Sequence, residues 1–351
     1  MTASLLIVGC IAVSALMSLL ITDAVRRYAL SNAILDLPNH RSLHTNPTPR
    51  GGGLGIALVL FGSALITSMI GLLGRQVLIA LLGGLAVAWI GWVDDTRKVR
   101  PLVRAAVHFA AASWAVYWLG GLPTIDLGFR VVHLGWLGNV LAVLALVWLT
   151  NLYNFMDGVD GIAATEAASV AGAGGLLLFR DGQIGLALVS LAVCGASLGF
   201  LLRNWSPATI FMGDVASGLL GFAFGVIAIA SERSGALPVL AWFVLLGVFI
   251  ADSTVTLLRR AYRREKVYAA HRTHAYQRLV QVGWTHARIS TMVAVLNVSL
   301  AAAVFALTYR RDLLLPFVLV AAAILIVLYA VIERRAPLAR QMKSTDLGSR
   351  H

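Results

Sequence analysis

Residues 77 to 93 read VLIALLGGLAVAWIGWV and run directly into Asp94, Asp95, Thr96, Arg97 and Lys98. An uncharged run of this length is long enough to cross roughly 30 Å of hydrocarbon as a helix, and the two carboxylates then stand where that helix leaves the lipid. The rest of the chain repeats the pattern. It has 351 residues, 59% hydrophobic and 13% charged, with a mean hydropathy of +0.83. That leaves too little polar surface to cover a soluble globule of this size.

Eleven apolar runs are predicted to span, at about 3 to 22, 52 to 73, 77 to 93, 102 to 120, 137 to 152, 162 to 179, 184 to 202, 215 to 231, 237 to 257, 289 to 308 and 313 to 332. The expected fold is therefore all-α and polytopic, a single membrane domain over residues 1 to 351 with a tail from 333 to 351. The first run lacks a basic leading region and a small-residue cleavage site, so it reads as a retained helix. Cys10 and Cys194 fall inside apolar runs without metal or redox spacing and read as packing residues.

The net charge of +12 does not call for nucleic acid, because the cations lie in the connections between spans. With the first helix running inward, 22 of the 28 Lys and Arg residues fall on one face and six on the other. The positive-inside rule then puts the N-terminus on the outer side, periplasmic if the membrane is a bacterial inner one, and the C-terminus in the cytoplasm. Part of the excess can hold anionic lipid headgroups. On the outer side the one long connection, 121 to 136, reads as a small amphipathic excursion.

The chemistry-bearing residues collect on the inner face. Asp94 and Asp95 repel one another unless they share a cation or a proton; the alternative is a solvated helix end neutralised by Arg97 and Lys98. In NLYNFMDGVDG, residues 151 to 161, Asn151, Asn154, Asp157 and Asp160 recur every third position and would project from one side if helical, with Gly158 and Gly161 allowing close approach. A capped turn between two helices would use the same residue types.

RNWSPATIFMGD, residues 203 to 214, places Phe211 and Asp214 after a helix-breaking Pro207; taken alone, Asp214 reads as an N-cap. The loop from 259 to 278 surrounds His271, Arg272 and His274 with cations suited to phosphates, or to a membrane surface, and offers no third zinc ligand. The loop from 36 to 53, with three prolines and a glycine run, carries Arg50 to the edge of the next span and matches no Walker or dinucleotide pattern. Carboxylates and amides for Mg²⁺ and cations for phosphate, all on one face, are the parts of phosphoryl transfer.

Together, DDTRK, NxxNFMDGxDG, FMGD and HRTH resemble, in order and over nearly the whole chain, the polyprenyl-phosphate N-acetylhexosamine-1-phosphate transferases (glycosyltransferase family 4), and within them the branch that starts O-antigen chains. The resemblance implies a Mg²⁺-dependent enzyme, with Mn²⁺ as a substitute, that moves N-acetylhexosamine 1-phosphate from a UDP-N-acetylhexosamine to undecaprenyl phosphate in the bilayer. Asp214 would be the main metal ligand with Asn154 beside it. Asp94 and Asp95 would position or deprotonate the lipid phosphate. Asp157, Gly158 and Asp160 would line the nucleotide pocket with Phe211 against the uracil, and His271, Arg272 and His274 would meet the donor.

Asp157 joins the catalytic set on this reading, and Asn151, Lys98 and Arg50 the substrate-binding set. Two positions depart from the family pattern: Ala275 follows His274 where many members have a further histidine, and Lys98 stands where some relatives carry an acid. The sequence leaves open whether the chain forms a homodimer. A transporter or flippase of lipid-linked sugars is the competing class, but it should carry carboxylates near the bilayer midplane; here only Asp252 lies deeper than the inner boundary.

Overall fold

The computed structural model describes residues 2–37, 46–265, 271–307 and 309–336. Parts of the loops 36 to 53 and 259 to 278 and nearly all of the tail from 333 therefore lie outside the described residues. The chain is helical throughout its apolar runs: α1 (Thr2–Ser31), α2 (Leu54–Met69), α3 (Arg75–Thr96), α4 (Pro101–Leu119), α5 (Trp136–Met156), α6 (Ile162–Arg180), α7 (Ile184–Asn204), α8 (Asp214–Arg233), α9 (Val239–Leu245), α10 (Gly247–Tyr262), α11 (Ala275–Gln281), α12 (His286–Leu307) and α13 (Leu314–Arg335). Local signals fit these bounds, as in α4, which starts with Pro101 at its first position and ends at Gly120 in the left-handed region.

Among the described residues nine helices are long and apolar enough to cross a membrane, so the protein is a multi-pass, all-α membrane protein. Two of the eleven predicted spans differ from expectation. The second, α2, is only 16 residues long. The ninth is broken: α9 and α10 meet at an angle of 79° across Leu246. The bend falls at Gly247, and the half that follows is polar, carrying Asp252, Ser253, Thr256, Arg259 and Arg260.

The centre of the bundle is α6, α7 and α8; 94% of the apolar window of α8 is buried, against 17% for α1. Small residues let these helices approach closely. A Cβ added at Gly91 of α3 would overlap the carbonyl of Asp214, so glycine there lets the end of α3 lie against the start of α8. Inside the bundle Asn297 of α12 donates to Glu166 of α6 at 2.7 Å.

Two short hairpins sit outside the helices. β1 (Leu35–Asp36) pairs with β2 (Thr48–Pro49), Leu35 opposite Pro49. The excursion expected between 121 and 136 takes the form of a hairpin, β3 (Thr124–Asp126) paired with β4 (Val131–His133), in which Thr124, Ile125, Val131 and Val132 are β-branched. Cys10 and Cys194 are free, as expected of packing residues.

Candidate active site

Three helix ends converge where α3 stops, α5 stops and α8 starts. Asp94 and Asp95 occupy the last turn of α3, Asn154 the last turn of α5, and Asp214 the first position of α8. Gly213 takes the N-cap position, so Asp214 is not a plain cap; its side chain meets arginines instead. The loop before α2 reaches this point by pairing backbone with the loop before α8: Phe211 N donates to Pro49 O at 2.8 Å and Gly52 N to Phe211 O at 2.9 Å. That pairing lays Arg50 over the carboxylates.

Arg50 Nε lies 3.1 Å from Asp95 Oδ1, and its Nη2 lies 3.3 Å from Asp214 Oδ1. From the other side Arg104, in the first turn of α4, pairs closely with Asp94, lies 3.5 Å from Asp214 Oδ2 and donates to Asn154 Oδ1 at 3.3 Å. Asn154 in turn donates to Ser217 Oγ at 3.0 Å, and Asp214 N donates to Asp95 Oδ1 at 3.1 Å. Burial opposes charge on Arg50, but Asp95 and Asp214 more than offset it and raise the guanidinium pKa.

Three carboxylates thus face two guanidinium groups, an arrangement short of one positive charge. Asp157, the residue after α5, stands beside them. Burial pushes its carboxyl well above the usual range; Arg50 opposes this, and Asp214, Asp95 and Asp160 add to it. Among the described residues no three His, Cys, Asp or Glu side chains form a ready-made metal cluster. The donor set nonetheless suits a hard cation, since it is all oxygen and Asp95 Oδ2 is buried with no hydrogen-bond partner.

Other sequence-selected residues go elsewhere. Asn151 bonds back to Val147 O at 2.7 Å and reaches His108 of α4. Asp160 lies 3.2 Å from His286 Nδ1 and accepts from Ala208 N at 3.1 Å, while Ser290 donates to its carbonyl. The stripe from 151 to 160 therefore fans out, because the helix ends at Met156 and the three-residue period ends with it.

Lys98 is exposed: α3 stops at Thr96, Val99 N donates to Asp94 Oδ1 at 2.6 Å, and the cation that pairs with Asp94 is Arg104, one turn into the next helix. Phe211 is half-buried at the edge of the cluster. His271 and Arg272 are half-buried, and burial with the neighbouring His274 lowers the His271 pKa to about 3, so its ring is neutral.

His274 is not open to a ligand in the way the sequence implied. It is 2% exposed, 3.2 Å from Asp252, and lies between the rings of His271 and Tyr276. Arg104, Ser217, His286 and Tyr276 were missed by reading the chain alone, and Asp252 was noticed only for its depth. Arg104 had a signal, a cation just inside an apolar run after Pro101; Ser217, His286 and Tyr276 declare themselves only through packing.

Residues 77–232, from α3 to the end of α8, match the model of glycosyl transferase family 4. The chain is 27% identical over 288 residues to the probable undecaprenyl-phosphate N-acetylglucosaminyl 1-phosphate transferase of Bacillus subtilis, covering 80% of this chain and 79% of that one. It is 29% identical over 315 residues to the decaprenyl-phosphate N-acetylglucosaminephosphotransferase of Mycobacterium tuberculosis, covering 80% and 77%. Over 294 residues it is 30% identical to the phospho-N-acetylmuramoyl-pentapeptide-transferase of Geobacillus kaustophilus, covering 79% and 89%.

Proposed function

The chain belongs to glycosyl transferase family 4, the polyprenyl-phosphate N-acetylhexosamine-1-phosphate transferases, and on that premise we propose that it moves N-acetylhexosamine 1-phosphate from a UDP-sugar to undecaprenyl phosphate and releases UMP. The observation that carries this reading is the gathering of Asp94, Asp95, Asp214 and Asn154 from three helices onto two shared arginines. A phosphate oxygen of the lipid forms a bond to the β-phosphorus of the donor. The bond from that phosphorus to the oxygen bridging the two phosphates breaks, and UMP leaves with the electron pair.

Asp214 and Asn154 would hold Mg²⁺, or Mn²⁺ in its place, with Asp95 Oδ2 as a third oxygen within the same cluster. The cation supplies charge neutralisation for the diphosphate. Arg50 and Arg104 exchange a carboxylate oxygen for a phosphate oxygen as substrate enters, which keeps each guanidinium paired. Asp94 and Asp95 orient the acceptor phosphate. Phe211 offers a face for the uracil, beside Asp160, and His271 and Arg272 border the donor's sugar.

The concentration of 22 of 28 cations on one side supports a site facing the cytoplasm of a bacterial inner membrane. Relatives named for N-acetylglucosamine give that sugar precedence over N-acetylfucosamine and N-acetylquinovosamine, and the product would be the first lipid-linked intermediate of a cell-surface polysaccharide, O-antigen or a cell-wall glycan.

The test is a panel of UDP-N-acetylhexosamines labelled in the sugar, given to purified protein with undecaprenyl phosphate and Mg²⁺. Label should appear in a lipid pyrophosphoryl sugar, most rapidly from UDP-N-acetylglucosamine. Label that reaches no lipid from any donor, in folded protein, would refute the reading.

A further inference from the structure

Asp252 lies on α10, six residues past the break at Leu246, and is 8% exposed. One buried carboxylate here serves four donors. Oδ1 accepts from Ala275 N at 2.9 Å, Thr256 Oγ1 at 3.1 Å and His274 Nδ1 at 3.2 Å; Oδ2 accepts from Tyr276 N at 3.2 Å. The backbone from 274 to 276 is therefore fixed from a different helix, which also orients the His274 ring. His271 stacks on that ring with centroids 4.9 Å apart.

Tyr276 carries the same constraint across to α5. Its hydroxyl donates to Phe155 O at 2.9 Å, one residue before the helix ends. A Cβ added at Gly158 would overlap that hydroxyl and crowd the ring. Gly158 is thus glycine because a phenol occupies the space beside it. Asp157, just before it in the chain, lies within electrostatic reach of Arg50, Asp214 and Asp95.

We propose that Asp252 and Tyr276 are positioning residues for sugar-phosphate transfer: the Asp252 carboxylate fixes segment 274 to 276, and the Tyr276 phenol then sets the turn at 157 and 158 that aims Asp157 at the acidic cluster. The inference rests on the transferase reading above. It concerns a segment beyond residue 232, outside the region that matches the family model. A substrate contact at Gly158 would predict something different, because its loss would be independent of Tyr276.

The experiment is a double-mutant cycle with Gly158→Ala and Tyr276→Phe, read by kcat and KM for UMP release and by thermal melting of each variant in detergent. Gly158→Ala should lower kcat about 30-fold with KM for the donor nearly unchanged. In the Tyr276→Phe background the same substitution should cost less than about threefold, because the phenol oxygen it strikes is gone. Asp252→Asn, which turns an amide toward backbone donors, should lower kcat with the KM for the donor nearly unchanged.

Equal costs of Gly158→Ala in both backgrounds would overturn the proposal, as would a loss confined to KM. An inactive wild type would count against the transferase reading instead. In that case the cycle read on melting temperature still decides whether Tyr276 and Gly158 act on each other, and additive shifts overturn it.

Discussion

The two ends of the bundle use charge in opposite ways. At the end away from the site every acid has backbone donors or a dedicated cation. Glu232 accepts from Asp126 N at 2.7 Å and Val239 N at 2.6 Å, and Arg311 pairs with Asp126 at 3.6 Å while donating to Ala236 O. Arg233 donates to Gly120 O and Gly121 O, and Arg310 pairs with Asp312. These contacts latch the β3–β4 hairpin and the helix connections. At the site end three carboxylates share two guanidiniums and one buried oxygen has no partner. Complete pairing marks a latch, and incomplete pairing marks a place built for a charged ligand.

The sharpest way to break this contrast is Asp214→Asn. It should abolish turnover, by about 10³-fold or more, and remove Mn²⁺ binding measured by electron paramagnetic resonance, with the protein still inserted. Arg104→Ala should cost about 10²-fold in kcat, whereas Lys98→Ala, nearby in sequence but outside the cluster, should change kcat/KM by no more than about twofold. Steady-state rates of UMP release compare the two directly. Comparable losses would show that the cluster geometry does not select the working cation.

At the latch end the expected effect moves from rate to stability. Glu232→Gln keeps one acceptor and loses the other, so it should lower stability by about 1 kcal/mol, seen as a melting shift of a few degrees, with kcat unchanged. The smallest effect concerns pH. Burial alone would raise the Asp160 pKa, but the His286 hydrogen bond and charge, with the Ala208 amide, hold it below the ordinary 3.8. A depressed carboxylate contributes stability above its unfolded pKa and loses it as pH falls through the folded one. Melting temperature should therefore drop below about pH 4 more steeply in wild type than in Asp160→Asn.

Much of this contrast was legible in the chain. Hydropathy and the excess of cations on one face separated the two ends before any helix was placed, and Asp94, Asp95, Asn154 and Asp214 were all selected from their motifs. Periodicity failed at Asn151 and Asp160 because it presumes a helix that Met156 ends. Lys98 and Arg104 could not be ranked without knowing that α3 stops at Thr96, leaving Lys98 exposed, and that α4 carries Arg104 to Asp94. Asp252 and His274 form their pair only because α10 bends away from α9, and nothing in the run 237 to 257 announces a 79° break beyond the polarity of its second half.

The most direct test of the central claim is UMP release from UDP-N-acetylglucosamine by purified wild-type protein, with undecaprenyl phosphate and Mg²⁺ each present or withheld. The account predicts release only when both are present. Release that needs neither, or none at all from folded protein, would contradict it.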